Sequence, residues 1–217
     1  MRTTHKFIGV LFLIGIFSTL NAQRDVARDQ NPIVIIDPGH GGTDAGAVTK
    51  NGVLEKNIVL NIAHKMLVLN HSFNANPVEL YLTRYTDTLI SLNDRVQLAK
   101  KLKADVFISI HCNQAINRTA AGTEVYIHPK SEAQPEASAY LGFTIQKELT
   151  DILGIKNRGI KYRNFQVLRD SESGCATVLL ELGFLSQTDE AVYLSQNESQ
   201  QAIALVILQS IAKFLGL

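Results

Sequence analysis

Two histidines and two glutamates of this 217-residue chain lie where a predicted strand or helix begins or ends. His40 sits in the turn Asp37-Pro38-Gly39-His40-Gly41-Gly42, directly after an apolar strand. Glu55 opens a helix, His111 ends a second apolar strand, and Glu181 interrupts a third. Two imidazoles with one carboxylate are a common catalytic zinc set that leaves one coordination position for water, and the fourth group can then serve as the base.

Each of these residues also has a simpler interpretation. His40 in isolation is an exposed loop histidine, and its turn does not fit the G-x-G-x-x-G dinucleotide loop because the third glycine is misplaced. Glu55 suits the first turn of a helix through the helix dipole, and His111 fits a satisfied core histidine. Glu181 lies in the run VLLELGF, where an unpaired carboxylate is costly to bury. Its alternative is an ion pair with an arginine, for which the candidates are Arg84, Arg95, Arg158, Arg163 and Arg169.

The two cysteines, Cys112 and Cys175, offer a thiolate alternative to the imidazole site. They lack the C-x-x-C spacing of thiolate metal sites, so this alternative is weaker. Two cysteines also exclude a disulfide-scaffolded miniprotein. The sequence leaves open whether they pair or stay as buried thiols.

The elements that must position these side chains follow an α/β pattern, because short apolar runs alternate with longer helical ones. Alternation within the strand predicted at 105–111 places Phe107, Ser109 and His111 on one face and the apolar residues between them on the other. Ser91 and Asp94 resemble a capping box that opens a helix through Lys103. Strands are predicted at 33–37, 78–83, 105–111, 123–127, 165–168 and 177–182, and the other helices at 55–70, 136–153 and 200–214.

The amino terminus has the layout of a secretory signal peptide. A short basic region with Arg2 and Lys6 precedes the apolar run 7–17 and then small residues, with a cut predicted after Ala22. The run is short for a permanent membrane span, although an uncleaved anchor is the alternative. We therefore expect a signal peptide at 1–22, a polar leader at 23–31 and one catalytic domain at 32–217. An exported protein without a stable membrane anchor follows.

Charge and composition exclude some classes of binding partner and of protein. The net charge is +1, and cleavage after Ala22 would remove two basic residues and no acidic one, leaving −1. A near-neutral chain argues against binding to nucleic acid through bulk electrostatics. The chain is 46% hydrophobic, which is too apolar for a disordered protein.

The chain resembles the zinc-dependent N-acetylmuramoyl-L-alanine amidases of the amidase-3 type, which act on the bacterial cell wall. The resemblance runs from Ile33 to the final predicted helix. Its blocks, in order, are IVIIDPGHGGTDAGA, LEKNIVLNIA, LTR followed by TD, SLNDRVQLA, ISIHCNQA, GTEVY, NRGIK with FQVLR, and LLELGFLSQTDE.

The resemblance implies a fold and a set of roles. The implied fold is a single α/β domain with a twisted, mostly parallel mixed sheet flanked by helices on both faces. His40, Glu55 and His111 match the family's zinc ligands, and Glu181 matches its catalytic glutamate. Asn113 and Arg169 are candidates for contacts to the substrate. The implied substrate is peptidoglycan, cut between N-acetylmuramic acid and L-alanine.

One departure from the family concerns regulation. Its cell-division members carry a long insertion with a zinc-blocking helix after the block that matches ISIHCNQA, whereas a short stretch here separates Asn113 from Gly122. We therefore expect that no activator protein is needed to displace an inhibitory helix. We also expect a monomer, located in the periplasm or cell envelope. The alternatives are a zinc peptidase acting within the stem peptide and a non-catalytic peptidoglycan-binding module.

Overall fold

A computed structural model describes residues 31–73, 78–129, 135–171 and 174–217. The predicted signal peptide and nearly all of the polar leader lie outside these residues. Within the described ranges the chain forms six strands and six helices. The strands are β1 Ile33–Pro38, β2 Glu79–Leu82, β3 Val106–Asn113, β4 Thr123–Ile127, β5 Asn157–Tyr162 and β6 Ala176–Phe184; the helices are α1 Glu55–Phe73, α2 Leu92–Leu102, α3 Pro135–Leu153, α4 Gln166–Ser171, α5 Thr188–Ser195 and α6 Asn197–Leu215.

The strands form one mixed sheet in the order β2-β1-β3-β6-β4-β5. Strands β2, β1, β3 and β6 run parallel, β4 is antiparallel to β6, and β5 is parallel to β4. The carboxyl ends of β1, β3 and β6 therefore meet at one edge, where open α/β sheets place their sites. The predicted single α/β domain with a mostly parallel mixed sheet is confirmed.

Helices cover both faces of this sheet, as expected. Helices α1, α3 and α6 pack on one face over the larger apolar cluster, which includes Ile58, Leu141 and Ile207. Helices α2 and α4 pack on the other face, where the smaller cluster contains Phe107 and Leu168. No helix among the described residues is both long and apolar enough to cross a membrane.

Local sequence signals place most helix ends correctly. The Ser91 hydroxyl oxygen accepts a hydrogen bond from the Asp94 amide at 3.1 Å, which confirms the predicted cap of α2. Lys103 ends that helix in the left-handed conformation.

The predicted strand at 165–168 is wrong, because helix α4 begins at Gln166. Its first turn is closed by the Phe165 carbonyl, which accepts from the Leu168 and Arg169 amides, and Val167 and Leu168 pack toward the α2 side of the sheet. Helical packing of these apolar side chains overrides their local strand preference. Strand β5 and helix α5 were not among the predicted elements.

Cys112 and Cys175 are both buried free thiols. Cys112 belongs to the larger apolar cluster and Cys175 to the smaller one, so the sheet lies between them. Burial raises the pKa of the Cys175 thiol to about 12 and that of Cys112 well above its usual value. Neither residue belongs to the metal-ligating cluster that the described residues form.

Candidate metal centre and active site

The His40 turn leaves the end of β1 in a conformation that places the imidazole over β3. His40 has a φ of +59°, which non-glycine residues seldom adopt. Gly39 precedes it, and a Cβ there would lie 2.2 Å from Cε1 of His111, so only glycine lets the turn pass against that ring. The His40 Nδ1 lies 2.8 Å from Asp44 Oδ2. Since a carboxylate can only accept, Nδ1 carries a hydrogen, and Nε2 is the nitrogen that can bind a metal once it is deprotonated.

Glu55 is the first residue of α1, yet its carboxylate is held by loop and strand amides. Its Oε2 accepts from the Ala47 amide at 2.7 Å, and its Oε1 accepts from the Cys112 amide at 2.8 Å. A Cβ on Gly46 would lie 2.5 Å from that Oε2, which explains the glycine there. The side chain is therefore fixed at the carboxyl ends of β1 and β3. Interaction with the helix dipole alone does not account for this position.

Three ligand atoms converge where these elements meet. Glu55 Oε1 lies 3.1 Å from His40 Nε2 and 3.0 Å from His111 Nδ1, and the two ring nitrogens are 3.2 Å apart. The same three residues form the cluster of metal-ligating groups found among the described residues. The three residues that the resemblance implied as ligands are thus brought together in space.

The charges in this cluster favour a cation. Burial opposes a charged imidazole, but Glu55 and Asp44 raise the pKa of His40 to about 9. Burial likewise opposes a charged Glu55, but hydrogen bonds from His111 and His40 lower its pKa to about 2. The carboxylate and the imidazoles thus share a proton, and a metal cation can bind these groups in place of that proton.

The geometry fits a tetrahedral metal ion. Bonds of 2.0–2.1 Å to zinc place the ligand atoms of a tetrahedron roughly 3.3 Å apart, close to the 3.0–3.2 Å measured here. Two nitrogens and one carboxylate oxygen are also a donor set that zinc takes in catalytic sites. The residues present therefore fit a bound metal.

Glu181 lies beside this cluster on β6. It stands in register with His111 on β3 and with Glu124 on β4. Its Oε2 is buried and has no hydrogen-bond partner in the part of the chain that the structure describes. Burial raises the pKa of Glu181 to about 7, and the Glu55 and Glu124 carboxylates add to the shift while the two histidines oppose it. A carboxyl group that titrates near neutrality suits proton transfer.

The arginines considered as partners for Glu181 make other contacts. Arg95 pairs with Asp37 at 2.6 Å, and Arg158 pairs with Glu124 at 2.5 Å. Arg169 pairs with Asp170. Arg84 and Arg163 donate to backbone carbonyl oxygens.

Two buried arginines hold the backbone of the His40 turn, a role that sequence analysis did not identify. Arg84 donates to the Pro38, Gly39 and Lys56 carbonyls at 2.8–3.0 Å. Arg95 donates to the Pro38 carbonyl at 2.8 Å and to the His40 carbonyl at 2.7 Å. In the sequence, Arg84 follows the predicted strand 78–83 and Arg95 lies in the helix that Ser91 opens. Neither position indicates a partner by itself.

A cleft of about 930 Å³ opens over the metal-ligating cluster and Glu181. Asn113 lines it, and its side-chain amide donates to Glu124 Oε2 at 3.2 Å. Arg169 sits one turn further along α4, with its guanidinium on Asp170 and Asn164 rather than on the cleft wall formed by Gln166 and Val167.

Comparison with known proteins identifies the family of the chain. Residues 34–213 match the Amidase_3 family, described as N-acetylmuramoyl-L-alanine amidase. The chain is 36% identical over 205 residues to the uncharacterized protein YqiI of Bacillus subtilis, covering 94% of this chain and 95% of that protein. It is 37% identical to the N-acetylmuramoyl-L-alanine amidase LytC of the same organism over 77% of this chain, but spans only 33% of LytC.

A solved structure shares the fold as well. The CwlD amidase of Clostridioides difficile, determined in complex with the GerS lipoprotein, has a TM-score of 0.77 and 29% sequence identity, covering 86% of this chain and 99% of that one. The family match extends over most of the chain, and the neighbour has the same catalytic-domain architecture. The chain is therefore an enzyme of the N-acetylmuramoyl-L-alanine amidase family.

Proposed function

We propose that this enzyme is an exported zinc hydrolase that cleaves the amide bond between N-acetylmuramic acid and the L-alanine of the peptidoglycan stem peptide. The observation that carries the proposal is the convergence of His40, Glu55 and His111 within hydrogen-bond distance of one another, with Glu181 beside them. The family match supports the bond type. Cell-wall turnover or separation of daughter cells is the process that such an activity would serve.

His40, Glu55 and His111 would hold the zinc through Nε2, Oε1 and Nδ1. Bound there, zinc supplies a Lewis acid that acidifies water and stabilises negative charge on the amide oxygen. The hydrogen bond from His40 Nδ1 to Asp44 keeps the ring in the ligating tautomer. The amides of Ala47 and Cys112 keep the Glu55 carboxylate turned toward the two imidazoles.

Glu181 would move the proton. Burial raises the pKa of Glu181 to about 7, and a zinc ion bound nearby would oppose that shift. The ionised carboxylate can then accept a proton from the attacking water. It then donates the proton to the departing L-alanine nitrogen. Its buried Oε2 has no hydrogen-bond partner among the described residues, so no such bond has to break before the carboxyl group turns toward the substrate.

Asn113 and Arg169 are both proposed to contact the substrate, but they differ in their position relative to the cleft. Asn113 lines the cleft, and although its side-chain amide donates one N–H to Glu124, the second N–H can meet a polar group of the substrate. Arg169 would have to release Asp170 and Asn164 and turn toward the cleft.

The proposal extends to location and regulation. The predicted signal peptide at 1–22 would deliver the enzyme to the periplasm or cell envelope. We expect it to act as a monomer. We also expect it to need no activator, because the loop between β3 and β4 is short. The lipoprotein bound to the CwlD amidase makes this a point to measure by adding candidate lipoproteins to the assay.

The decisive experiment digests isolated peptidoglycan with the zinc-loaded protein and identifies the products by mass spectrometry. We expect free stem peptides that begin with L-alanine. The Glu181→Gln variant should lose about 10²–10⁴-fold in rate while binding the same amount of zinc. Glu136→Gln, an exposed change on α3, is the matched control.

Other outcomes identify other functions. Fragments cut inside the stem peptide would point to a peptidase. Zinc-loaded protein that binds peptidoglycan without releasing any product would point to a binding module. Full activity in Glu181→Gln would remove Glu181 from the mechanism.

A further inference from the structure

A second concavity of about 660 Å³ adjoins the cleft over the metal-ligating cluster. Gln114, three residues beyond His111, lines both spaces. The other residues that matter here come from two loops and from the end of β6. They are Val48, Lys50, Ile116, Arg118 and Ser186. A ligand in the cleft can therefore extend past Gln114 into this space.

The charge of this concavity is positive, unlike that of the cleft. Lys50 and Arg118 both line it, and none of the acidic residues that the structure describes does. The cleft is lined by both charges, with the carboxylates of Glu55, Glu181 and Asp44 and the cation Arg95 among its residues. A molecule that spans both spaces thus passes from a region of mixed charge to a basic one.

Lys50 and Arg118 have no partner among the residues that the structure describes, in contrast to several other cations of the chain. Lys56 is paired with Asp87 and Lys213 with Glu148 at 2.6–2.7 Å, and Arg158 is paired with Glu124. Two unpaired cations facing one concavity leave several N–H donors available to an anion.

The two loops that carry these cations are held by their own hydrogen bonds. The turn around Lys50 is closed by the Gly52 amide on the Thr49 carbonyl and by the Val53 amide on Thr49 Oγ1, at 3.0 and 2.9 Å. The loop with Arg118 is anchored where the Ala115 amide donates to Ser186 Oγ at 3.0 Å. The positions of the two backbones are therefore set before a ligand arrives, which lowers the entropy lost on binding.

The two halves of the proposed substrate also differ in charge. On the sugar side the lactyl carboxyl group is used up in the scissile amide and carries no charge. The stem peptide, in contrast, carries free carboxylates. Apolar side chains exposed in the cleft, Leu89, Leu92 and Phe165, offer nothing to a carboxylate.

We propose that Lys50 and Arg118 form a subsite for a carboxylate of the stem peptide and so set the direction in which the substrate lies across the metal-ligating cluster. This inference rests on the proposed amidase function. The subsite contacts the leaving half of the substrate and takes no part in proton transfer, so it acts on binding.

The test compares two muramoyl peptides that are identical except that the peptide carboxylates are free in one and amidated in the other. The wild-type enzyme should prefer the free acid by about tenfold in kcat/KM, mainly through KM, the effect of about 1.4 kcal/mol of charge-assisted binding. The double variant Lys50→Met/Arg118→Met should hydrolyse both peptides with equal kcat/KM and unchanged kcat. Lys100→Met, an exposed change on α2, should keep the wild-type preference.

The outcomes separate this inference from the function on which it rests. Hydrolysis of both peptides at equal kcat/KM by the wild type would overturn the subsite and leave the amidase intact. A double variant that keeps the tenfold preference would do the same. Hydrolysis of neither peptide by the zinc-loaded wild type would overturn the proposed function, and the subsite with it.

Discussion

The two faces of the sheet are built on different principles. On the face covered by α1, α3 and α6, the inward side chains are aliphatic almost without exception, and Val34, Ile108 and Leu180 are fully buried. On the face covered by α2 and α4, apolar packing gives way toward the carboxyl ends of the strands to Asp37, Ser109 and other buried polar groups. Both faces are equally dry at these positions.

Because of this difference, the two faces are expected to differ in how well they tolerate substitution. Aliphatic contacts are non-directional, so the first face is stabilised by apolar area removed from water. The polar groups of the second face each need a partner. The Asp37 carboxylate, for example, accepts from Arg95, Thr83 and Ser109 at 2.6–2.7 Å. The second face thus gives up tolerance to substitution in return for fixed positions around the metal-ligating cluster.

The largest effect on stability is expected from a substitution on the polar face. Arg95→Met leaves the Asp37 carboxylate buried without its cation and removes the bond to the His40 carbonyl. The free energy of unfolding should fall by about 3–5 kcal/mol, measured by urea denaturation with a chelator present so that metal binding does not contribute.

Two variants of the same helix complete that measurement. Arg95→Lys keeps the charge and should recover part of the loss, whereas Lys101→Met, exposed on α2, should lose little. A stability of Arg95→Met within about 1 kcal/mol of wild type would show that the polar face is no less tolerant than the apolar one.

The next effect tests the apolar face. Ile207 on α6 is fully buried, and Ile207→Ala should lower the free energy of unfolding by about 2–5 kcal/mol through lost burial and a cavity. Zinc affinity of the folded protein, titrated at a temperature well below its melting point, should match wild type. A loss of zinc affinity larger than tenfold, about 1.4 kcal/mol, would mean that the two faces are coupled.

The smallest effect on stability falls on an exposed residue of the polar side. Asp44 is about half exposed and holds Nδ1 of His40. Asp44→Asn should lower zinc affinity about 10–100-fold while changing the free energy of unfolding by less than about 0.5 kcal/mol. Competition with a chelating dye measures the first quantity and urea denaturation the second.

Asp151→Asn, on the exposed side of α3, is the control for the loss of a carboxylate. Unchanged zinc affinity in Asp44→Asn would show that the acceptor at His40 Nδ1 does not need a negative charge.

Local patterns were enough to predict most of the fold. Period-two alternation located β3 and assigned Phe107 and Ser109 to one face, and the Ser91 cap located the start of α2, because both depend on nearest neighbours along the chain. The segment at 165–168 was assigned incorrectly, since its helical form depends on packing against α2 and β6. Strand β5 went unpredicted because only its pairing with β4 makes it a strand.

The sequence by itself determined the chemistry available: the imidazoles of His40 and His111, the carboxylates of Glu55 and Glu181, and the glycines that let the chain turn around them. The contacts of these groups depend on the tertiary structure. Parallel pairing of β1, β3 and β6 brought together residues up to 141 positions apart, and long-range packing assigned Arg95 to Asp37 and left Glu181 unpaired within the described chain. Spacing along a chain fixes direction and periodicity, whereas distances across a sheet exist only once it has formed.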